Sequence, residues 1–320
     1  MLTLATVMVP GSASPVGVFF QQLEIGLTLG AMYALVALGY TLVYGIIELI
    51  NFAHGDVFMW STVVTLAIVQ AMGITAPPGP AALVGLLILL FAVGMVVSGT
   101  LNVTIERFFY RPLRKAPRLA PLIAAIGASF ILETVAQLWR GSGFVAFPSL
   151  VPTIGVQIGN VHVNVLDVVI VIVALALMYA LERFIRLTRM GKAMRATAQD
   201  PEAASLMGVN INRTISLTFI IGGALAGAAG VMYNLYIGQV WFFTGFQLGL
   251  IAFTAAVLGG IGNIYGAVLG GFIIGIIEAF TIQYVPGGFA WADAVVFAIL
   301  VLILVVKPSG LLGQQTPNKV

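Results

Sequence analysis

Apolar runs of roughly 20 residues recur along the whole chain, each long enough to cross a hydrocarbon core of about 30 Å as a helix. Lipid offers no partner to backbone N–H and C=O groups, so such runs can only be helices or the strands of a closed barrel. A barrel reads as short segments of alternating polarity, which are not seen here. Composition agrees: 60% of the 320 residues are hydrophobic and 8% charged, against about a quarter charged in a soluble domain. The expected fold is an all-α, polytopic membrane helix bundle.

The runs fall at about 22–47, 56–73, 81–104, 119–139, 165–184, 214–236 and 291–306, with a longer apolar region at 246–284. That region is too long for one helix and is interrupted by GGIGNIYG, which points to a broken or short helix near 246–264. About eight transmembrane helices are expected. Basic residues orient them, because short Lys/Arg-rich loops mark the cytoplasmic side. Of 14 such residues, five lie in ERFFYRPLRKAPR (Arg107, Arg111, Arg114, Lys115, Arg118), six lie between Arg183 and Arg213, and Lys307 and Lys319 are in the C-terminal tail. These segments are expected inside. The first 20 residues hold no Lys or Arg, so the N-terminus is expected outside. The chain then divides into an extracytoplasmic or interfacial segment 1–20, a transmembrane domain 21–308 and a cytoplasmic tail 309–320. Within the domain lie an external segment 140–164 and a cytoplasmic loop 186–213.

In the external segment, VQIGNVHVN alternates apolar and polar residues around Gly159-Asn160, the pattern of a small hairpin. It reads as an external lid or docking element, with a plain loop as the alternative. Glycines four apart (Gly223 and Gly227; Gly262, Gly266 and Gly270; Gly271 and Gly275) share helix faces and let backbones approach closely.

Enzyme chemistry finds no support. Gly191-Lys192 is followed by Ala193 and lacks the upstream glycine of a phosphate-binding loop. His54 and His162 stand far apart with no metal-ligand spacing, and no nucleophile elbow occurs. The absence of cysteine excludes disulfides and thiolate metal sites. No catalytic residue, metal, cofactor or nucleic-acid partner is expected. An ionisable group at membrane depth is costly and marks function by default. Glu24, Glu133, Asp167, Glu278 and Asp293, however, fall toward the outer ends of runs, within reach of interfacial water. Glu133 and Gln137, four apart on one face, are best placed to line an outward cavity.

Two polar stretches say more. ELINFAHGDVFMW, residues 48–60, sets Glu48, Asn51, His54 and Asp56 between two apolar runs. It is either a loop at the inner surface or, if the first helix breaks early, a polar break inside the bundle. In the basic loop, DPEAASLMG has the signals of a short helix: Asp200 at the N-cap, Pro201 at the first helical position, Gly208 as terminator. Held between two spans, such a helix suits a groove in a soluble partner; a solvated amphipathic loop is the plainer reading.

GLTLGAMYALVALGYTLVYGIIELINFAHGD, GKAMRATAQDPEAASLMGVNINR and AFTAAVLGGIGNIYGAVLGG, followed by KPSGLLG, together resemble the permease subunit of bacterial branched-chain amino acid ABC transporters, the LivH type. The resemblance covers about residues 22–313. It implies a multi-pass protein of the cytoplasmic (inner) membrane, pairing with a second, LivM-type permease. It also implies two cytoplasmic ATPases of LivG and LivF types, which bind the ATP, and a periplasmic substrate-binding protein. The family's coupling segment maps onto Gly191, Arg195, Ala196, Asp200, Pro201, Ala204 and Gly208. NFAHG is the family's most recognisable segment, which favours a helix break beside the translocation path. Asn51 and His54 are then hydrogen-bonding groups, Gly55 the bend and Asp56 the cap of a new helix. Glu133, Gln137 and Asn263 complete the expected path. At Asn263 and Tyr265 the sequence departs from GSIPG-like versions, where Ser and Pro stand. The expected mechanism is alternating access, with the ATPases moving the 200–208 helix. Urea or short amides are the alternative cargo, and an ion-coupled secondary transporter is the rival mechanism.

Overall fold

The longest apolar run folds as α1 (Pro15–Ile47), whose 33 residues begin where Ser14 accepts the N–H of Gly17 at 3.1 Å. At 1.5 Å per residue it is about 50 Å long, well beyond one hydrocarbon thickness. The computed structural model describes residues 14–114, 116–117, 119–152, 154–158 and 161–313. Pro15 at the first helical position starts α1 within the segment 1–20, which the sequence reads as extracytoplasmic or interfacial.

Beyond α1 come α2 (His54–Ala71), α3 (Pro80–Ile105), a π-helical turn (Glu106–Tyr110), α4 (Arg111–Leu113), α5 (Leu119–Arg140) and α6 (Val165–Leu187). The basic loop folds as α7 (Arg189–Gln199) and α8 (Pro201–Leu206), followed by α9 (Ile211–Ile237), α10 (Thr244–Gly259), α11 (Ile264–Tyr284) and α12 (Gly288–Val306). Seven helices are long and apolar enough to span: α1, α3 with its extension to Leu113, α5, α6, α9, α11 and α12. α2, with 18 residues, and α10, with 16, are shorter or more polar. The expected number of about eight falls between these seven and the full set. Only an odd number of crossings puts the two termini on opposite faces.

Small residues hold the centre together. α1 packs most extensively on α11, and α3 on α9. A Cβ on Gly26 or Gly30 would stand 2.7 Å from the Cα of Ile276 or Phe272 on α11, and Gly271 and Gly275 press against Ala34 and Gly30 in return. On the other seam Gly223 lies against Ser98 and Gly99, and Gly227 against Gly94. Lipid gives no hydrophobic drive between helices, so this close backbone contact supplies the packing energy. Gly262 leaves the expected stripe: it has φ 92° in the turn before α11, where a left-handed residue is needed.

The two ends of the bundle differ. One gathers the basic segments: Arg114 bonds Asn212 (2.6 Å), Arg186 bonds Tyr265 (2.8 Å), and the chain after α12 returns its Leu311 N–H to Leu258 O (2.8 Å). The other end carries all the strand structure among the described residues. There β1 (Val145–Ala146) pairs with β4 (Gln239–Val240), and β2 (Gly155–Ile158) pairs antiparallel with β3 (Val161–Asn164), Val156 opposite Val163. The hairpin read from VQIGNVHVN therefore forms; its turn, Gly159-Asn160, lies outside the described residues. Gln21 of α1 fastens it by donating to His162 O (3.1 Å) and accepting from His162 N (2.9 Å).

Candidate functional site

α1 ends at Ile47 because Glu48 turns left-handed (φ 52°) and returns its N–H to Tyr44 O at 2.8 Å. Residues 48–53 then run back into the bundle, so α2 begins deep inside it. His54, its first residue, lies with its ring edge-on to Tyr40 (centroids 4.8 Å apart) and directly over Gly39, about 12 Å before the end of α1. A Cβ on Gly39 would collide with the imidazole.

A second break comes in from the opposite end. α9 ends at Ile237 with left-handed Gly238, β4 follows, and α10 starts at Thr244 beside the first turn of α2. The two breaks share local geometry. His54 N bonds Asn51 O at 3.0 Å and Thr244 N bonds Trp241 O at 3.1 Å. Their N-cap residues, Ala53 (φ −73°, ψ −3°) and Phe243 (φ −92°, ψ −4°), adopt the same conformation, and neither offers a side-chain cap. The helices run in opposite directions with their N-termini in contact at Gly55, Gly245 and Gly249. Both therefore direct free N–H groups and positive dipole ends toward one region of the bundle interior.

Asp56 sits at that meeting point, fully buried. One carboxylate oxygen accepts the Ser129 hydroxyl of α5, while Oδ1 has no hydrogen-bond partner among the described residues and faces Gly245. Asp56 is not the cap expected from the sequence, nor Gly55 the bend: Ala53 stands at the N-cap, Gly55 is already helical, and the Asp56 carboxylate lies in the first turn of α2, where it suits the local dipole. One turn from Ser129, Glu133 is 6% exposed and its Oε1 is likewise without a partner among the described residues. Gln137 is half-buried beyond it, and Arg140 closes the stripe by bonding Gln70 Oε1 (2.9 Å) and Val63 O (3.5 Å) on α2. Trp60 fixes the seam between the two helices, donating to Leu132 O (3.2 Å) and stacking on Trp139.

Asn51 serves the break. Its amide donates to Asn102 Oδ1 (3.0 Å), Asn102 donates to Phe219 O (2.7 Å), and Tyr110 donates to Ile50 O (2.9 Å). Asn102, Tyr110 and Ser129 were missed in the sequence, where each stands in an apolar or basic stretch without a motif. The structure brings Asn51, His54, Gly55, Asp56 and Glu133 together and leaves out Asn263. That side chain caps α11 by accepting from Gly266 N (3.1 Å) and donates to Leu312 O (2.8 Å) at the basic end.

The basic loop folds as its capping signals predict. Asp200 Oδ1 accepts the N–H groups of Glu202 (2.9 Å) and Ala203 (3.0 Å), Pro201 opens α8, and Gly208 ends the motif at φ 84°. Ala204 is buried, whereas Leu206 and Met207 are 87% and 85% exposed. Gly191 packs on the backbone of Ile185, whose carbonyl takes a hydrogen bond from Arg195, so α7 is braced on the end of α6. Ala196 O receives the Asp200 N–H at 3.1 Å.

Paired re-entrant helices and a polar seam within an apolar bundle define a membrane transport subunit. The family described as "Branched-chain amino acid transport system / permease component" matches residues 22–304, so the chain belongs to that family of ABC importer permeases and is a multi-pass inner-membrane protein. It is 44% identical over 311 residues to the high-affinity branched-chain amino acid transport system permease protein LivH of Escherichia coli K12, covering 94% of this chain and 98% of the relative. It is 40% identical over 309 residues to BraD of Pseudomonas aeruginosa, with 94% and 98% covered. A more distant likeness, 29% over 59% of this chain and 55% of the relative, is to the autoinducer 2 import system permease protein LsrC of Enterobacter sp. strain 638. No solved structure matches the chain.

Proposed function

We propose that this permease passes branched-chain or other neutral amino acids along the seam of α2 and α5, with the paired breaks as its gate. The observation that carries the reading is the buried pair of unpartnered acceptors, Asp56 Oδ1 and Glu133 Oε1, beside two uncapped helix starts. Broken helices of this kind bind charged substrate groups through their ends in other transporters. Here Asp56 of the chain itself already occupies the anion position at those N-termini. What remains open in the seam accepts hydrogen bonds, so the substrate's ammonium is the group it suits. Arg140, seven residues from Glu133 and therefore about 10 Å along α5, suits the carboxylate. That distance exceeds the span of one amino acid head group, so the two sites act in succession.

In this reading the basic end faces the cytoplasm and the N-terminus lies outside. α8 docks on ATPases of LivG and LivF types, a LivM-type permease completes the pore, and a periplasmic binding protein delivers the cargo. Hydrolysis belongs to the ATPases; this chain contributes no catalytic group. The names and identities of the relatives, together with the basic loops, support this assignment.

The test is uptake of radiolabelled leucine into liposomes holding the assembled complex, with ATP inside the lumen facing the ATPases and binding protein outside. Accumulation that needs both is expected. Uptake driven by an ion gradient without ATPases would replace the ABC reading, and uptake of urea or short amides in leucine's place would change the cargo.

A further inference from the structure

The π-helical turn Glu106–Tyr110 is unusual backbone, rare in proteins and frequent at functional sites. Its two end residues bond in opposite directions. Glu106 is fully buried at the basic end, yet four donors surround its carboxylate. Arg111 donates from Nε (3.1 Å) and Nη2 (2.9 Å), Ser216 of α9 donates to Oε2 (2.8 Å), and Arg114 donates to Oε1. Arg114 also bonds Asn212 in the first turn of α9, four residues after Gly208 closes α8. The rod formed by α3, the π turn and α4 is thereby fastened to the junction through which α8 joins the bundle. Charge-assisted bonds of this sort are roughly twice as strong as neutral ones, and their partial burial limits solvent screening.

Tyr110, at the other end of the turn, is 2% exposed and reaches the first break. Its hydroxyl donates to Ile50 O at 2.9 Å and lies 3.5 Å from Asn51 Oδ1, while its ring packs on Phe219 with centroids 5.5 Å apart. Asn102, on the same rod, holds Asn51 from the other side. Two hydrogen-bonded clusters, one at the α8–α9 junction and one at residues 50 and 51, are thus joined through the backbone of the π turn itself.

We propose that Glu106 and Tyr110 are positioning residues for transport: they carry a displacement of α8 through the π turn to the 48–53 break and so set when the path opens. The inference rests on the reading of α8 as the ATPase docking helix. Coupling along this route is read from the uptake-to-ATP ratio of substituted complexes.

Tyr110→Phe keeps the ring on Phe219 and removes only the donor to Ile50. In the full reconstituted complex we expect basal ATPase rate, subunit assembly and binding-protein stimulation to stay at the parent level. Leucine taken up per ATP hydrolysed should fall roughly three- to tenfold, the effect of one lost hydrogen bond at the gate. Arg114→Gln should lower the same ratio, and the double variant should fall short of the product of the two, because one route is being cut twice. Glu106→Gln, which leaves two arginines facing an amide, should uncouple further if it folds. An unchanged uptake-to-ATP ratio in Tyr110→Phe, or independent effects in the double variant, would overturn the proposal. A lowered melting temperature with an unchanged ratio would make the network purely structural and overturn it equally. The docking reading is checked separately by Asp200→Lys with Gly208→Val. If that pair leaves stimulated ATPase intact, α8 is not the coupling helix; if it uncouples while Tyr110→Phe is normal, only the transmission route fails.

Discussion

Gly55 at the start of α2 stands directly against the carbonyl of Gly245 at the start of α10, with Gly249 one turn further on. Neither helix start has room for a side chain there. A Cβ on Gly245 would stand 2.7 Å from Asp56 Oδ1 and 2.8 Å from Met59 Cβ, and these neighbours are themselves fully buried. Gly55→Ala and Gly245→Ala should therefore each cost about 1–3 kcal/mol of overpacking and abolish uptake. Gly85→Ala on α3, where nothing lies within 4 Å, is the control and should be neutral. Thermal unfolding of the detergent-solubilised protein, read beside liposome uptake, decides it. A tolerated alanine at both positions would mean the two starts separate easily.

Asn102 is the tie between the first break and α9, donating to Phe219 O and accepting from Asn51. Interhelical side-chain hydrogen bonds in membranes average only about 0.6 kcal/mol. Here two bonds go at once and the Asn51 amide is left buried without its acceptor, so Asn102→Leu should cost about 1–3 kcal/mol. Thr104→Val, which removes an exposed bond to Thr100 O one turn away on the same helix, should change little. Equal effects of the two substitutions in detergent unfolding would show that Asn102 carries no special weight.

What could be read in the sequence followed physical rules that act over a few residues. Span-length apolar runs gave the helix bundle, Asp200, Pro201 and Gly208 gave α8, and alternation gave the β2–β3 pairing. NFAHGD was legible as a polar stretch in an apolar chain, but it lies inside although α1 does not break early: the helix runs to Ile47, the end of the apolar run, and the chain then turns back. That reversal is set by one left-handed residue, Glu48, which is not the glycine or asparagine that usually marks such an end. The second break, at 241–244, offers only Thr244 as a polar signal: Trp241, Phe242 and Phe243 read as apolar chain, so its likeness to the first break is visible only in backbone geometry. Asn263 caps α11 away from the cluster around Asp56, and a loop asparagine reads alike in sequence as a path residue and as a helix cap. The caps are local, whereas the contacts of Asp56 with Ser129 and Gly245 span over 70 and over 180 residues, which no short pattern encodes.

Gln21 holds the β2–β3 hairpin by both backbone groups of His162 and also donates to Glu24 Oε2 at 3.0 Å. Gln21→Met keeps the length of the side chain and removes all three bonds. The hairpin strands, which are two-stranded and marginal alone, should then exchange their amide hydrogens roughly tenfold faster or more, as the loss of bonds of about 1 kcal/mol each requires. Hydrogen exchange of residues 155–164 read by mass spectrometry is the measurement. Unchanged protection would show that packing on α6, rather than Gln21, seats the hairpin.

Leu206 and Met207 are the most exposed large apolar side chains in the basic segment, at 87% and 85%, on a helix that Asp200 caps at one end and Gly208 closes at the other. An exposed pair held in fixed geometry is what a groove on a soluble partner would use, and burying one leucine contributes about 1.5–3 kcal/mol. Leu206→Asp with Met207→Asp should leave folding unaltered, since neither side chain packs inside. ATPase subunits should then fail to co-purify, while monomer yield and melting temperature stay at the parent level. Asp200→Ala should act differently: loss of the cap costs about 1 kcal/mol of local helix stability, so the ATPases should still bind, but more weakly. Co-purification at the parent level in the double aspartate variant would move the docking surface away from α8 and onto α7 or the π turn.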